Sequence, residues 1–266
     1  MPRRALAQHF LADQGVLHRI LQAADLSLKD TVVEVGPGRG VLTRELVRRV
    51  GRVVAVEIDA ELAASLAPSL GYPPNLTVLE ADARTVDLGA YSDYKVVANL
   101  PYYAANPIVR RFLEAEHKPQ LMVVTVQKEV AESMVAPPGR MSLLSVGVQF
   151  YSVPRIVCTV PPGAFRPPPK VDSAVVRIDV LPRPAVEMDD VTEFFRLVQA
   201  GFAAPRKQIR NSLALGLKLQ AKEAGEILER AGIEPQRRPA TLDLKEWAAL
   251  HRTYSRGAVG EGSSLR

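Results

Sequence analysis

The sequence predicts a doubly wound α/β sheet followed by a smaller domain that is entirely helical. Two observations predict the sheet: five short runs rich in Val and Leu, and helical patterns between them. Near-continuous apolar runs of this length are typical of parallel strands that helices cover on both faces. A third observation predicts the second domain, because the pattern becomes purely helical after residues 181–184.

The five apolar runs are predicted as strands in chain order. They cover residues 31–35, 51–57, 76–80, 94–99 and 121–126. Between the first two, Leu42, Leu46 and Val50 are four residues apart, as one face of a helix requires. This alternation predicts repeated βαβ units, whose ligands bind at the carboxyl ends of the strands.

Two longer strands are predicted after the fifth run, at residues 149–160 and 172–181. Residues 161–169, which lie between them, include three consecutive prolines. Because such prolines cannot occupy a central strand, we expect a stiff, exposed loop there.

The domain boundary is placed where the strands end. Residues 1–182 form the predicted sheet domain, and residues 183–255 the helical domain, with an apolar stripe at Phe194, Phe195, Val198 and Phe202. Residues 256–266 are small and polar, so we expect a disordered tail.

The composition excludes several classes of protein. The 266 residues contain no long apolar run, so neither a membrane span nor a signal peptide is expected. One cysteine, Cys158, cannot form an internal disulfide and is compatible with the cytoplasm. With four scattered histidines, it does not predict a metal site. The net charge of +5 favours an anionic partner, although many basic proteins bind none.

A glycine-rich loop follows the first strand. Residues 34–40 read Glu-Val-Gly-Pro-Gly-Arg-Gly, and Gly36 and Gly38 allow a tight turn that a nucleoside can approach closely. The spacing G-x-G-x-G is not the dinucleotide fingerprint, and no Lys-Ser or Lys-Thr pair of a phosphate loop follows. A plain structural turn is the alternative.

Two acids follow the next two strands. Glu57 ends the second strand and can accept hydrogen bonds from both ribose hydroxyls of a nucleoside. Asp82, just after the third strand, can accept one from an adenine amine. Either acid alone is equally compatible with a helix cap. Both together, at consecutive strand ends, favour a nucleoside cofactor.

The fourth strand ends in a sequence suited to chemistry on an adenine amine. The lone pair of N6 is delocalised into the ring, so both of its N–H groups must be held by acceptors. The Asn99 side-chain oxygen and the Leu100 carbonyl, stiffened by Pro101, can supply them, while Tyr102 stacks on the purine. Positioning and desolvation then provide most of the rate. The alternative is a turn that terminates the strand.

Several segments resemble one enzyme family. Residues 99–102 resemble the signature of N6-adenine methyltransferases, and residues 8–13 resemble the N-terminal Q-N-F-L-x-D motif of rRNA adenine N6,N6-dimethyltransferases. Residues 127–130 and 165–175 are similar to that family too, and the likeness extends from residue 8 to about 250. Residues after 161 and around 206–213 resemble its small-subunit branch.

This resemblance implies the Rossmann-like sheet of class I methyltransferases and S-adenosyl-L-methionine as the cofactor, without a metal. It implies cofactor contacts at Gln8, His9, Leu11, Gly36, Gly38, Glu57, Asp82 and Asn99. His9 departs from the family, where Asn is usual. The change has no consequence if the contact uses the backbone, and alters cofactor affinity if it uses the side chain; His9 can also be a surface-loop residue.

The small-subunit branch implies a substrate and a partner: it dimethylates two adjacent adenosines near the 3′ end of 16S rRNA. The expected partner is thus small-subunit rRNA in the pre-30S particle, with a monomer as the default. No acidic residue lies between Glu193 and Glu223, and Arg206, Lys207 and Arg210 are expected to form one helical face that contacts RNA phosphates. Arg3 and Arg4 can add to it. An ordinary solvated face is the alternative.

A second aromatic residue completes the predicted catalytic group. We expect Phe165, in the proline-rich loop, to hold the flipped target adenine against Tyr102. The alternative is a loop phenylalanine that packs into the core.

Four other functions remain as alternatives. The large-subunit dimethylases that confer macrolide resistance share the catalytic core but differ in the C-terminal helices. A ribosome-assembly factor can act by occupying immature subunits, with or without catalysis. A nicotinamide dehydrogenase disagrees with the glycine spacing, and a DNA adenine methyltransferase would be expected to carry an extra sequence-reading domain.

Overall fold

The computed structural model describes the backbone of residues 9–261 and the side chains of residues 9–256. Gln8, Arg3 and Arg4 therefore lie outside the described residues. The chain divides into two compact units. The sheet unit comprises residues up to 132 together with 152–182, and the helical unit comprises 133–151 together with the residues from 183 onward. Within the described part of the chain, no helix is long and apolar enough to cross a membrane.

Nine strands are present in the part of the chain that the structure describes. In chain order they are β1 (Phe10–Leu11), β2 (Thr31–Val35), β3 (Arg52–Glu57), β4 (Leu76–Glu80), β5 (Lys95–Asn99), β6 (Leu121–Gln127), β7 (Ser152–Val160), β8 (Phe165–Arg166) and β9 (Ser173–Val180).

Ten α-helices accompany them. They are α1 (Gln14–Ala23), α2 (Val41–Leu46), α3 (Ala60–Ser69), α4 (Ala105–Glu114), α5 (Lys128–Met134), α6 (Leu143–Tyr151), α7 (Val191–Gly201), α8 (Ile209–Leu217), α9 (Ala221–Arg230) and α10 (Leu244–Glu261). Two 3-10 turns lie at Pro162–Ala164 and Pro239–Thr241.

Seven strands form one sheet in the order β4-β3-β2-β5-β6-β9-β7. The first five are parallel, as predicted, whereas β9 is antiparallel to both β6 and β7. From β2 the chain adds β3 and β4 on one side, then returns to add β5 and β6 on the other. The gap between β2 and β5 is thus the topological switch point, where open α/β sheets bind ligands.

Apolar strand residues form the core of the sheet unit. Val32, Val33, Val53, Val96 and Val97 are fully buried, as expected for strands covered on both faces. The apolar sides of the flanking helices pack against them, with Ile20 of α1 and Leu46 of α2 among the buried residues. This packing fixes the strand ends that carry the polar residues described below.

The segment before β7 departs from the sequence prediction. Residues 149–151 were expected to begin a long strand in the sheet domain, but they end helix α6, and residues 133–151 belong to the helical unit. The reason is tertiary packing. Phe150 is fully buried among the aromatic rings of that unit, with its centroid 5.0 Å from that of Phe194.

The end of the chain also differs from the prediction. Helix α10 continues to Glu261, although a disordered tail was expected from residue 256. The buried Trp247 and Leu250 anchor this helix, and adding a turn to an existing helix is far easier than starting one. Residues 262–266 lie outside the described chain.

Candidate active site

The carboxyl ends of four parallel strands surround one pocket. Val35 pairs with Ala98 across the switch point, so Gly36 and Asn99 follow side by side. A Cβ atom on Gly36 would lie 3.8 Å from the Asn99 carbonyl oxygen. The polar residues predicted from the sequence are brought together here: the pocket is lined by His9, Gly36, Gly38, Glu57, Asp82, Asn99, Leu100, Pro101 and Tyr102.

The glycine loop has a backbone that other residues rarely adopt. Gly36 and Gly38 have φ values of +67° and +54°. A Cβ atom on Gly38 would come within 2.7 Å of the Phe10 ring, so this ring lies directly on the loop. The Arg39 guanidinium packs 4.8 Å from the centroid of the same ring. The loop therefore packs against Phe10 of β1, whose ring also lines the pocket.

Glu57 ties the end of β3 to the glycine loop. Its carboxylate is 4% exposed and accepts hydrogen bonds from the backbone N–H groups of Gly38 at 3.1 Å, Ile58 at 2.9 Å and Asp59 at 3.1 Å. Asp59, not Glu57, caps α3, so the helix-cap alternative for Glu57 is wrong. A carboxylate offers about four acceptor positions, which leaves capacity for a ligand hydroxyl.

Asp82 holds an arginine that the sequence analysis did not single out. Both Asp82 oxygens accept from Arg84, with Nε 3.0 Å from each and Nη2 2.6 Å from Oδ2. This hydrogen-bonded guanidinium lowers the pKa of Asp82. No helix lies between β4 and β5 in the described chain, so Asp82 does not cap one.

The Asn99 side chain is held in one orientation. Its Nδ2 donates to the His9 carbonyl at 2.9 Å, which turns Oδ1 into the atom left to accept a hydrogen bond from a ligand. The Leu100 N–H donates to the Thr125 carbonyl at 3.1 Å and fixes the next peptide. Asn99 Oδ1 is therefore available as an acceptor beside the pocket, and the acceptor role of residues 99 and 100 stays a prediction.

The structure gives His9 contacts through both its backbone and its side chain. Its backbone carbonyl meets Asn99, so that hydrogen bond does not depend on the side chain. The ring Nδ1 lies 2.8 Å from the Pro167 carbonyl, and the ring centroid is 5.7 Å from that of Tyr102. His9 is half-buried and lines the pocket, so it is not a free surface-loop residue.

The two aromatic residues predicted to stack on the target base lie in different surroundings, one in the pocket and one in the core. Tyr102 lines the pocket, and its hydroxyl hydrogen-bonds to Ser173. Burial raises the pKa of that hydroxyl. Phe165 is fully buried in the core of the sheet unit and pairs with Leu11 through β8 and β1. The exposed-loop placement of Phe165 is therefore wrong, and its ring would have to leave the core to reach a base.

Leu11 is likewise a core residue, 6% exposed, and does not line the pocket. The sequence analysis did not predict several of the pocket residues, among them Phe10, Ile58, Arg84 and Tyr103. Ile58 and Tyr103 are 47% and 60% exposed, which is unusual for large apolar side chains and is visible only in the structure. Within the described residues, no group of His, Cys, Asp and Glu is arranged to hold a metal ion.

A family model described as "Ribosomal RNA adenine dimethylase" matches residues 2–250. The chain belongs to the ribosomal RNA adenine dimethylase family. The family predicted from the motifs is therefore confirmed, and the pocket at the switch point is the part of this adenine dimethylase where the motif residues meet.

Relatives of this adenine dimethylase carry a more specific name. "Ribosomal RNA small subunit methyltransferase A" of Dehalococcoides mccartyi strain 195 is 50% identical over 259 residues, which cover 95% of this chain and 88% of the relative. The protein of the same name from Pelotomaculum thermopropionicum is 43% identical over 265 residues, covering 94% and 90%.

Solved structures resemble the adenine dimethylase over nearly its whole length. A dimethyladenosine transferase from Plasmodium falciparum gives a TM-score of 0.78 at 25% identity, covering 93% of this chain and 98% of its own. The 23S rRNA methyltransferase ErmE gives 0.73 at 30% identity, covering 92% and 99%. The predicted fold class is confirmed.

In the helical unit, the predicted basic face takes another form. Arg206 and Lys207 are exposed but lie in the turn before α8, and only Arg210 lies in the helix. The single helical face expected from their spacing is therefore wrong. Arg210 is half-buried, and its Nε has no hydrogen-bond partner among the described residues. Arg196 is neutralised by Glu193, with N–O distances of 2.7 and 2.8 Å.

Proposed function

We propose that this enzyme transfers methyl groups to the N6 amines of two adjacent adenosines near the 3′ end of 16S rRNA. The observation that carries the proposal is the orientation of the Asn99 side chain. Its Nδ2 donates to the His9 carbonyl, so its Oδ1 is left as a hydrogen-bond acceptor in a residue that lines the pocket. Family membership supports the reaction type, and the names of the relatives support the small subunit.

The pocket fits S-adenosyl-L-methionine. The Glu57 carboxylate would accept from one ribose hydroxyl, and Asp82 would accept from the adenine amine with an oxygen that it shares with Arg84. The exposed Ile58 side chain offers an apolar contact to the purine. Gly36 and Gly38 leave the loop backbone open to close approach. When bound, the cofactor supplies a methyl group on a sulfonium, which is a strong electrophile without a metal.

The protein groups act mainly by position. Asn99 Oδ1 and the Leu100 carbonyl accept the two N6 hydrogens, so the nitrogen becomes more pyramidal and its lone pair more available. Tyr102, anchored through Ser173, holds the face of the base. Such pre-oriented acceptors act at the atom where charge develops, in a site from which water is displaced.

The helical unit supports RNA binding in this proposal. Arg206, Lys207 and Arg210 lie at or before the amino end of α8, where the helix dipole disfavours positive charge by about 0.3–1 kcal/mol each. Helix stability therefore does not explain them, whereas phosphate binding does. The pre-30S particle as the bound form, a monomeric enzyme and a cytoplasmic location belong to the same proposal.

A specific observation favours a second candidate, methylation of the large subunit. The 23S rRNA methyltransferase ErmE is 30% identical to this chain. The 50% identical relative named for the small subunit makes the first substrate the better supported one.

Labelled S-adenosyl-L-methionine and unmethylated small and large ribosomal subunits test the proposal. N6,N6-dimethyladenosine in the small subunit alone is the expected result. Label in the large subunit alone would select the second candidate. Binding to small subunits without any transfer would instead indicate an assembly factor, and the enzymatic proposal would be withdrawn.

A further inference from the structure

The mouth of the pocket carries two side chains that the proposed chemistry does not use. Tyr103 lines the pocket beside Tyr102, yet 60% of its surface is exposed. Arg84 lines the same pocket, and 49% of its side chain is exposed. An aromatic ring and a guanidinium are the two groups that most often hold an unstacked nucleotide, by stacking on its base and by contacting its phosphate.

Their arrangement favours a paired role. The backbone places Tyr103 immediately before Ala104, the N-cap residue of α4, and Arg84 is fixed by its hydrogen bonds to Asp82. The pKa of Arg84 is raised chiefly by those bonds and further by the nearby Tyr103 hydroxyl. Arg84 is thus held in place by Asp82, and Tyr103 lines the same pocket.

We propose that Tyr103 and Arg84 form a second nucleotide subsite, for the residue next to the adenosine that is being methylated. Tyr103 stacks on the neighbouring base, and Arg84 contacts the phosphate that joins the two nucleotides. The inference rests on the proposed function, because a substrate with two adjacent target adenosines presents an adenine at this neighbouring position during the methylation of one of the two. Holding the neighbouring base keeps the RNA strand in place while the target adenosine occupies the pocket.

The subsite is tested by a binding measurement that requires no methyl transfer. The probe is the dinucleotide ApA, titrated by calorimetry into the full-length protein with S-adenosylhomocysteine saturating the cofactor site. We expect ApA to bind at least about fivefold more tightly than either adenosine 3′- or 5′-monophosphate, as one additional stacked base implies. Equal affinities would overturn the proposal.

Matched variants assign the gain to these two residues. Tyr103→Ala should abolish the advantage of ApA, and Tyr103→Phe should keep it because the ring remains. Arg84→Ala should instead weaken ApA and the monophosphate that shares this contact to a similar degree, because both carry the phosphate. Tyr72→Ala and Arg48→Ala are controls, since Tyr72 is 71% exposed and Arg48 is an exposed arginine paired with Glu45 away from the pocket. If Tyr103→Ala behaves like Tyr72→Ala, the subsite is wrong.

A kinetic measurement separates this inference from the proposed function. On unmethylated small subunits, Tyr103→Ala should raise KM for the subunit about fivefold or more and leave the affinity for S-adenosyl-L-methionine unchanged. An enzyme that binds ApA through Tyr103 but methylates no subunit would refute the proposed function and retain the nucleotide subsite.

Discussion

Glycine serves opposite purposes in the two units. In the sheet unit, Gly36 and Gly38 adopt positive φ values and leave the backbone open toward the pocket. In the helical unit, Gly201 and Gly216 lie in ordinary helices, and a Cβ atom on either would come within 2.3 Å of a neighbour. The first pair is needed for the backbone conformation of the loop, and Gly38 also for its contact with Phe10, whereas the second pair is needed for packing space alone. The sequence alone does not distinguish these two uses of glycine, but substitutions can.

The largest effect is expected in the pocket, on the Asn99 amide. Asn99→Ala should lower the rate of methyl transfer about 10²–10³-fold, because the acceptor for one N6 hydrogen is removed in the transition state. Single-turnover transfer to unmethylated small subunits measures this rate. Tm should change little in comparison.

Asn75→Ala is the matched control. Its Nδ2 also donates to backbone carbonyls, those of Val47 and Val50, each at 2.9 Å, but it lies outside the pocket. It should lower stability and leave the single-turnover rate of the folded enzyme nearly unchanged. Equal rates for the Asn99 and Asn75 variants would remove Asn99 from the mechanism.

The two kinds of glycine give the next largest effects. Gly216→Ala should destabilise the protein by about 1–3 kcal/mol, because the added methyl overlaps the backbone of Ala200. Gly38→Ala should instead weaken binding of S-adenosyl-L-methionine about tenfold or more, since the loop must shift away from Phe10 and an alanine at φ +54° costs about 1–2 kcal/mol. Thermal denaturation and calorimetric titration measure the two effects.

Gly225→Ala provides the contrast within the helical unit. Gly225 lies inside α9, and a Cβ atom there meets nothing within 4 Å. The substitution should stabilise the protein by roughly 0.5–1 kcal/mol, because alanine is the better helix former. If Gly225→Ala and Gly216→Ala destabilise equally, packing space is not what separates these glycines.

The same contrast explains what the sequence could predict. The strands at residues 31–35 and 76–80 have the predicted bounds, because short runs rich in Val and Leu between turns are typical of strands, although only the first of the two is buried. Asn99 and Gly36 could be placed together because parallel strands end at one edge. The hydrogen bond from Asn99 to His9 joins residues 90 positions apart, and no local pattern encodes it.

Local patterns were less informative wherever packing decides the structure. Residues 149–151 have strand-like composition, but the burial of Phe150 among aromatic rings makes them helical. Phe165 has the setting of a loop residue, yet the pairing of β8 with β1 carries it into the core. Arg206 and Lys207 precede Arg210 by four and three residues, which is helical spacing, but α8 begins only at Ile209.

A buried acid behind the glycine loop gives a smaller effect that depends on pH. Burial, with a smaller contribution from the neighbouring Glu57 carboxylate, raises the pKa of Glu34 to about 8. The folded state therefore holds a proton that the unfolded chain, with an ordinary value near 4.5, releases. Wild-type stability should fall as the pH rises from about 4.5 to 8, because the folded state binds more protons in this range.

Glu34→Gln should remove that dependence, since the amide cannot ionise. The stability gained over wild type should be small at pH 5 and reach on the order of a few kcal/mol at pH 8, measured by urea denaturation. Glu61→Gln, at an exposed position in α3, is the control, and its effect should be the same at both pH values. A gain from Glu34→Gln that is independent of pH would contradict the buried, protonated carboxyl.

The smallest effect is expected in the helical unit, where side chains contact RNA without taking part in chemistry. Replacing both Arg206 and Lys207 by Ala should reduce the slope of log affinity against log salt by about one for each cation lost. Arg196→Ala should change the slope much less, because Glu193 already neutralises that guanidinium. Binding to small subunits at several salt concentrations measures these slopes. Removing cations that only position RNA should lower affinity and leave the rate at saturating subunit unchanged. An unchanged slope with a reduced maximal rate would therefore contradict the assignment of RNA binding to Arg206 and Lys207 and of chemistry to the pocket.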